Sequence, residues 1–204
     1  MDVQTLSNQI ADALAEVALR VQRSLVVVHN GRHGAGAGVV WRQGGYIVTN
    51  HHVIARGRIA ATLPDGDELP ARVVAKEPQL DLAILQVQSD GLAPAPIADS
   101  RVLQVGQIVL AVGHPWGQRG VVTAGIISGL GTAQTRHPRQ SVPIIRSDVV
   151  LAPGNSGGPM VNVAGGVVGI NTMIVGGDQG VAIPSHVVAA FVRRALVQNE
   201  EVTA

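Results

Sequence analysis

The stretch "APGNSGGPMVNV" (residues 152–163) sets Ser156 among Gly154, Gly157 and Gly158, with Pro153 and Pro159 on either side. Glycine costs backbone entropy wherever it is fixed, so this much of it around one hydroxyl marks a place where side chains are excluded for a reason. Whether the chain continues from the serine into a helix or a strand decides the fold. Gly157, Gly158 and Pro159 follow it, and Met-Val-Asn-Val reads as a strand.

The rest of the second half is built the same way. "QIVLAVG", "VVTAGIISGLG", "VPIIRSDVV", "VVGINTMI" and "QGVAIP" are short β-type runs between Gly or Pro, and "NVAGGVV" reads as a hairpin tip. The first half matches in style. "SLVVVHN", "GAGVVW", "GYIVTN", "RIAATLP", "ARVVAKE" and "LDLAILQVQ" are strands, with "PDGD" (64–67) as a turn. "SDGLAPAPIADS" (89–100) has no periodicity and reads as a linker. Two helices flank the strands. In 6–24, Leu6, Ile10, Leu14, Val17 and Val21 form one apolar stripe, with Ser7 as the expected cap. After Pro184, Ser185 is the expected cap of a helix. Its apolar face holds Val188, Phe191, Val192 and Leu196, and Arg193 and Arg194 suit its C-terminal half.

The expected fold is therefore all-β: two six-stranded antiparallel barrels with N- and C-terminal helices. The boundaries are a helical segment 1–23, a barrel 24–98, a barrel 99–185 and a helix 186–204. Composition agrees. Of 204 residues, 46% are hydrophobic but only 2% aromatic, so the core is aliphatic, and 25 glycines with 14% charged residues favour turns and strands.

Composition also excludes functions. The net charge of +1 offers nothing to a polyanion, and one Phe and one Tyr cannot form a base-stacking platform, so no nucleic-acid partner is expected. There is no cysteine, hence no disulfide, thiolate metal site or thiol nucleophile. No H-E-x-x-H occurs, "GAGAG" (34–38) lacks the Lys and helix of a phosphate loop, and no metal or cofactor is expected. No apolar run approaches a membrane span, and no leader is visible. The expected location is cytoplasmic if the chain is complete, and the cell envelope if a leader was removed.

A serine hydroxyl is a poor nucleophile at neutral pH and needs a base and oxyanion donors. The glycines let the backbone around 154–156 bend, so that the amides of Gly154 and Ser156 can point to one spot. His52, in "TNHHVI", ends an apolar strand, and Asp81, in "QLDLAIL", is flanked by apolar residues that will partly bury it. A buried charge needs a partner. Singly, each has an ordinary structural explanation; together, in the order His, Asp, Ser at strand edges, they match a known triad arrangement. The rival is G-x-S-x-G followed by Asp178 and His186, the order of an α/β-hydrolase. That fold needs a helix directly after the serine, and the 48 residues that remain are too few for its later units.

In order along the chain, "GYIVTNHHVI", "LDLAIL", "AVGHPWG", "VVTAGIISGLG", "RSDVVLAPGNSGGPMVN", "VVGINTMI" and "GVAIPSHVV" resemble the protease domain of the HtrA/Deg family of trypsin-like serine proteases, from about residue 24 to 190. The resemblance implies a serine endopeptidase of protein quality control and stress response acting on unfolded proteins or peptides. It assigns His52, Asp81 and Ser156 to the triad and Gly154, Asn155 and Ser156 to the oxyanion hole. Thr172 would support the aspartate. Val150, Thr172, Met173, Ile174 and Gly180 would line the substrate pocket. An aliphatic Val150 at its base implies cleavage after Val, Ala or Leu rather than Lys or Arg. Asn155 cannot make the ion pair with a new N-terminus by which trypsin-type zymogens are activated. Regulatory loops would be 131–143, with Arg136, His137 and Arg139, and 173–180.

The chain also departs from the family pattern. His114 and Trp116 replace the commoner Asn and Phe, no PDZ domain fits after residue 190, and residues 1–40 lack the aromatics on which family homotrimers rest. His51 has no evident role. The alternative function is a peptide-binding or chaperone module of the same fold with proteolysis silent.

Overall fold

The computed structural model describes residues 2–203 except 32–33, 55–56, 90, 135–140 and 173–179, and leaves the side chains of 199–203 undescribed. Seven strands form the first sheet: β1 (Leu25–Asn30), β2 (Ala35–Arg42), β3 (Tyr46–Thr49), β4 (Ile59–Thr62), β5 (Glu68–Pro70), β6 (Arg72–Glu77) and β7 (Leu82–Gln86). Their order is β5-β4-β1-β2-β3-β7-β6. Six more, β8 (Ile108–Gly113), β9 (Val121–Gln134), β10 (Ser141–Ser147), β11 (Pro159–Asn162), β12 (Val167–Thr172) and β13 (Gly180–Pro184), close into an antiparallel barrel.

The closed second barrel matches the expectation, but the first half is an open, seven-stranded sheet. The run from Glu68 to Glu77 splits at Pro70–Ala71. Proline donates no ladder bond, and the Ala71 N–H turns back to the Ile59 carbonyl at 2.9 Å. β5 and β6 thus become the two edges.

Strand alternation builds three apolar layers. Val109 and Ala111 of β8 point into the barrel with Ile145, Met160 and Val168, while Leu110 and Val112 point out toward the sheet. On β2, Val40 joins Val26, Val28 and Ile47 inside the sheet, while Val39 faces the barrel with Leu82 and Ile84. The seam between the halves is thus a shared aliphatic core, each fully buried Val, Leu or Ile contributing roughly 1.5–3 kcal/mol. The linker stitches it further: Ala95 N–H donates to Val40 O, and Ala98 N–H to Val167 O, both at 2.9 Å.

The helices seal the ends of this seam. α1 (Val3–Gln22) starts earlier than expected, because Asp2 rather than Ser7 caps it: Asp2 Oδ1 accepts the Thr5 N–H at 2.9 Å. Only the C-terminal half of its stripe packs; Val17 and Val21 are buried, whereas Leu6 and Ile10 are 45% and 51% exposed. α2 (Ser185–Thr203) buries Val188, Phe191, Val192 and Leu196 as expected. Its N-terminal amide is satisfied from outside the helix. Ser100 Oγ accepts the His186 N–H at 3.1 Å, while Ser185 Oγ donates to Ala98 O at 2.6 Å. No helix is long and apolar enough to cross a membrane among the described residues.

Candidate active site

The register of β3 against β7, with Thr49 opposite Ala83, brings the end of one strand beside the start of the other. Asn50–His52 and Asp81 are therefore neighbours, although 29 residues separate His52 from Asp81. Four hydrogen bonds clamp the two segments. Asn50 Nδ2 and the His51 N–H both donate to the Asp81 carbonyl, at 2.9 and 3.1 Å. The His52 N–H reaches Asp81 Oδ1 at 2.9 Å, and His52 Nδ1 lies 2.7 Å from Asp81 Oδ2. An ionised carboxylate only accepts, so Nδ1 carries the proton and Nε2 is left as the acceptor. Asp81 holds this position with φ 53°, in the left-handed region that aspartate tolerates better than most residues.

Thr172, at the end of β12, completes the arrangement from the other half of the molecule. Its Oγ1 donates to Asp81 Oδ2 at 2.7 Å. The Asp81 side chain is only 17% exposed, and three donors now satisfy its carboxylate. This orients and supports an imidazole without blocking its outer nitrogen.

Ser156 is buried in the loop before β11 and is tied to both halves. Its carbonyl accepts the Ala37 N–H of β2 at 2.8 Å, and the next amide, Gly157 N–H, donates to Asn171 O of β12 at 2.9 Å. Gly36 of β2 is the common seat. A Cβ there would lie 2.7 Å from both Val53 methyls and 3.0 Å from the Ser156 carbonyl, so the turn carrying His52 and the loop carrying Ser156 meet over it.

Around the serine the amides divide into two kinds. Asn155 N–H donates to Ala152 O, Gly157 N–H to Asn171 O and Gly158 N–H to Asn155 O. The amides of Gly154 and Ser156 donate to no partner among the described residues. Gly154 has φ 107°, and a Cβ there would lie 2.3 Å from the His114 carbonyl. Conformation and close packing both demand glycine at this position. Gly157, at φ 85°, is equally constrained, with a Cβ 2.1 Å from Ala37 O.

The loop is fastened from the other side by the turn Pro115–Gly117. His114 N–H donates to Gly154 O and Trp116 N–H to Pro153 O, both at 3.1 Å. The His114 ring is buried on a cavity of about 170 Å³ also lined by Gln22, Thr62 and Arg119. Its Nδ1 accepts the Gly120 N–H at 3.2 Å, and Nε2 has no partner among the described residues. Burial pushes this imidazole down to about 4; Arg119 and His29 push the same way and the Val26 carbonyl opposes them.

Of the expected pocket residues, Val150 is 71% exposed, its carbonyl accepting from Thr123 Oγ1 at 2.9 Å. Gly180 packs on Val149 and is paired with Ser147. Met173 and Ile174 lie outside the described residues, as do Arg136, His137 and Arg139. His186 does not approach Ser156 as the rival order requires: its Nδ1 contacts Ser100 Oγ at 2.8 Å, and a strand, not a helix, follows the serine. Among the described residues no group of three or more His, Asp or Glu could hold a metal. The contributions of Asn50 and of the His51 amide escaped the sequence reading, because they follow from strand register rather than from residue type.

A closed six-stranded barrel against an open sheet, with a histidine–aspartate pair from one and a glycine-bounded serine from the other, defines a peptidase domain of the trypsin-like class. Residues 36–170 match the family model of the trypsin-like peptidase domain, and the chain belongs to that family. More particularly, its relatives are of the DegP and HtrA type, in agreement with the motif resemblance. Probable periplasmic serine endoproteases, DegP-like, from Chlamydia trachomatis serovar D and Pseudomonas fulva are 39% and 43% identical. The alignments cover 82% and 74% of this chain and 35% and 33% of theirs. The solved HtrA-type protease AlgW with tripeptide superposes with a TM-score of 0.83 at 31% identity, over 92% of this chain and 64% of that one. The chain spans about a third of the length of the curated relatives it matches.

Proposed function

We propose that this chain is a serine endopeptidase domain in which Ser156 is the nucleophile, His52 the general base and acid, and Asp81 the group that orients and stabilises the imidazolium. His52 Nε2 takes the Ser156 proton as Oγ attacks a peptide carbonyl. The negative charge that develops on the carbonyl oxygen is received by the amides of Gly154 and Ser156. His52 then protonates the departing amine, and a water molecule repeats the sequence on the acyl-enzyme. The observation that carries this reading is the lack of partners at those two amides among the described residues, while the amides of Asn155 between them and of Gly157 and Gly158 after them each have one. Asn155 sits between them, its own amide turned back to Ala152 O, and shapes the hole rather than donating to it.

The substrate is unfolded or misfolded polypeptide, with a small or medium aliphatic residue before the scissile bond. Of the residues expected to line its pocket, Val150, Thr172 and Gly180 are the ones described, and this reading assigns them to it. Val150 brings no charge, and the adjacent acid, Asp148, is committed to β9, its Oδ1 accepting the Ile126 N–H at 2.6 Å. A buried Lys or Arg would therefore lack a partner.

The test is labelling with a fluorophosphonate, together with cleavage of quenched peptides carrying Val, Ala, Lys or Arg at the cut. Labelling that vanishes in Ser156→Ala, with Val and Ala peptides cleaved preferentially, is the expected result. Peptide binding without labelling would instead identify a silent peptide-binding module.

A further inference from the structure

Trp116 is placed unlike every other aromatic side chain in the protein. Phe191 is buried, and Trp41 and Tyr46 are half-buried in the core, but Trp116 is 75% exposed. Its backbone is also unusual, at φ 55° and ψ 26°. A bulky side chain rarely adopts the left-handed region, and such conformations persist where the surroundings enforce them. Here they do. Trp116 N–H is held by Pro153 O, and the flanking amides of Gly117 and Gln118 bond back to His114 O and Pro115 O, at 3.2 and 2.9 Å. The turn thus holds an indole in solvent at the cost of backbone strain. Core packing does not explain this, because the ring contributes little to any core.

Its position gives the strain a purpose. The serine loop has two arms. The arm after Ser156 is bonded to β12, through Gly157 N–H to Asn171 O and Asn171 N–H to Gly158 O. The arm before it is bonded to the Pro115–Gly117 turn, which touches Gly154 so closely that a Cβ there would lie 2.9 Å from Pro115 Cα. On the peptidase reading, on which this inference rests, the residue before the scissile bond lies toward β12 and β13. The chain leaving the site after the bond then passes the opposite arm.

We infer that Trp116 is a specificity-determining residue on the leaving-group side, its exposed ring forming a platform for an apolar side chain immediately after the scissile bond. An aromatic face offers a large, stiff apolar contact that loses little entropy on binding. Such a contact favours Leu, Ile or Phe over Gly after the cut and has no effect on a substrate lacking that residue.

The experiment uses two quenched peptides identical up to a Val at the cut and differing only in Gly or Leu after it, plus an acyl-Val methyl ester, whose leaving group carries no side chain. Wild type is compared with Trp116→Phe, Trp116→Ala and Trp116→Asn, the last removing the ring while tolerating a left-handed backbone. The wild type and Trp116→Phe should favour Leu over Gly in kcat/KM by about tenfold. Trp116→Ala and Trp116→Asn should lose that preference and hydrolyse the methyl ester at the wild-type rate. Equal slowing of all three substrates would instead assign Trp116 to holding the serine loop, and an unchanged Leu preference would remove it from recognition altogether; either overturns the inference. If the wild type neither turns over the peptides or the ester nor takes up fluorophosphonate, the peptidase reading fails, and this inference with it. Peptide and ester turnover with the Leu preference intact in Trp116→Ala and Trp116→Asn sinks the platform alone.

Discussion

Thr172 Oγ1 and His52 Nδ1 meet on one oxygen, Asp81 Oδ2, each at 2.7 Å. One donor comes from the barrel and the other from the sheet, so the carboxylate is held at the seam by both halves. Thr172→Val keeps the shape and removes the hydroxyl. Loss of a hydrogen bond to a charged group, typically 1.5–3 kcal/mol, should lower kcat/KM by roughly ten- to a hundredfold, with KM little changed. Steady-state kinetics on an aliphatic peptide substrate check this, and an unchanged kcat would release Thr172 from any supporting role.

Ser156→Ala should reduce kcat by a factor on the order of 10⁶, since removing a triad nucleophile leaves only binding and oxyanion stabilisation. The fold should be unaffected, because the loop is held by the Ser156 carbonyl and the Gly157 amide rather than by the hydroxyl. Residual peptide cleavage with matching melting curves is the comparison to make.

Gly154→Ala meets the His114 carbonyl at 2.3 Å and a backbone at φ 107°. Strain of about 1–3 kcal/mol is expected in the melting free energy. Activity should fall further than stability, because the displaced amide is one of the two proposed oxyanion donors. Equal activity in the folded variant would place the hole elsewhere.

His114 predicts a stability change with pH. Its ordinary value of 6.5 is lowered to about 4 in the fold, so below 6.5 the unfolded chain binds the proton that the native state refuses. Stability should therefore fall as pH drops from 6.5 toward 4, by a contribution on the order of 2 kcal/mol. Burial outweighs the one opposing influence, the Val26 carbonyl, and Arg119 and His29 act with burial, so the sign is kept; Gln22 and Thr62 line the same cavity without charge. In His114→Asn this part of the acid destabilisation should vanish; thermal melts from pH 7 to pH 4 measure it.

Much of the site was legible because its chemistry needs particular residue types. A histidine, a partly buried carboxylate and a hydroxyl in a glycine-rich turn, the residue types the proposed chemistry needs, stand out in the sequence as His52, Asp81 and Ser156, and the contact of Thr172 with Asp81 was expected from the motif resemblance. Features set by register or by a competing partner were not legible. Nothing in the letters says that Thr49 faces Ala83, so the Asn50 side chain and His51 amide on Asp81 could not be foreseen. Ser7 and Ser185 have the right type for caps, but Asp2 lies a turn earlier and Ser100 arrives from the linker. β5 is only the three residues Glu68–Pro70, too short to show an apolar alternation, so the first half was expected as six strands and holds seven in an open sheet.

The bond from Ala37 to the Ser156 carbonyl means that neither half alone sets the position of the proposed nucleophile. Sliding one half against the other by an ångström or two would misalign serine and histidine while every strand stayed paired. Inactivation on warming should accordingly precede the loss of β-structure, and the first thing this molecule forgets is its alignment, not its shape.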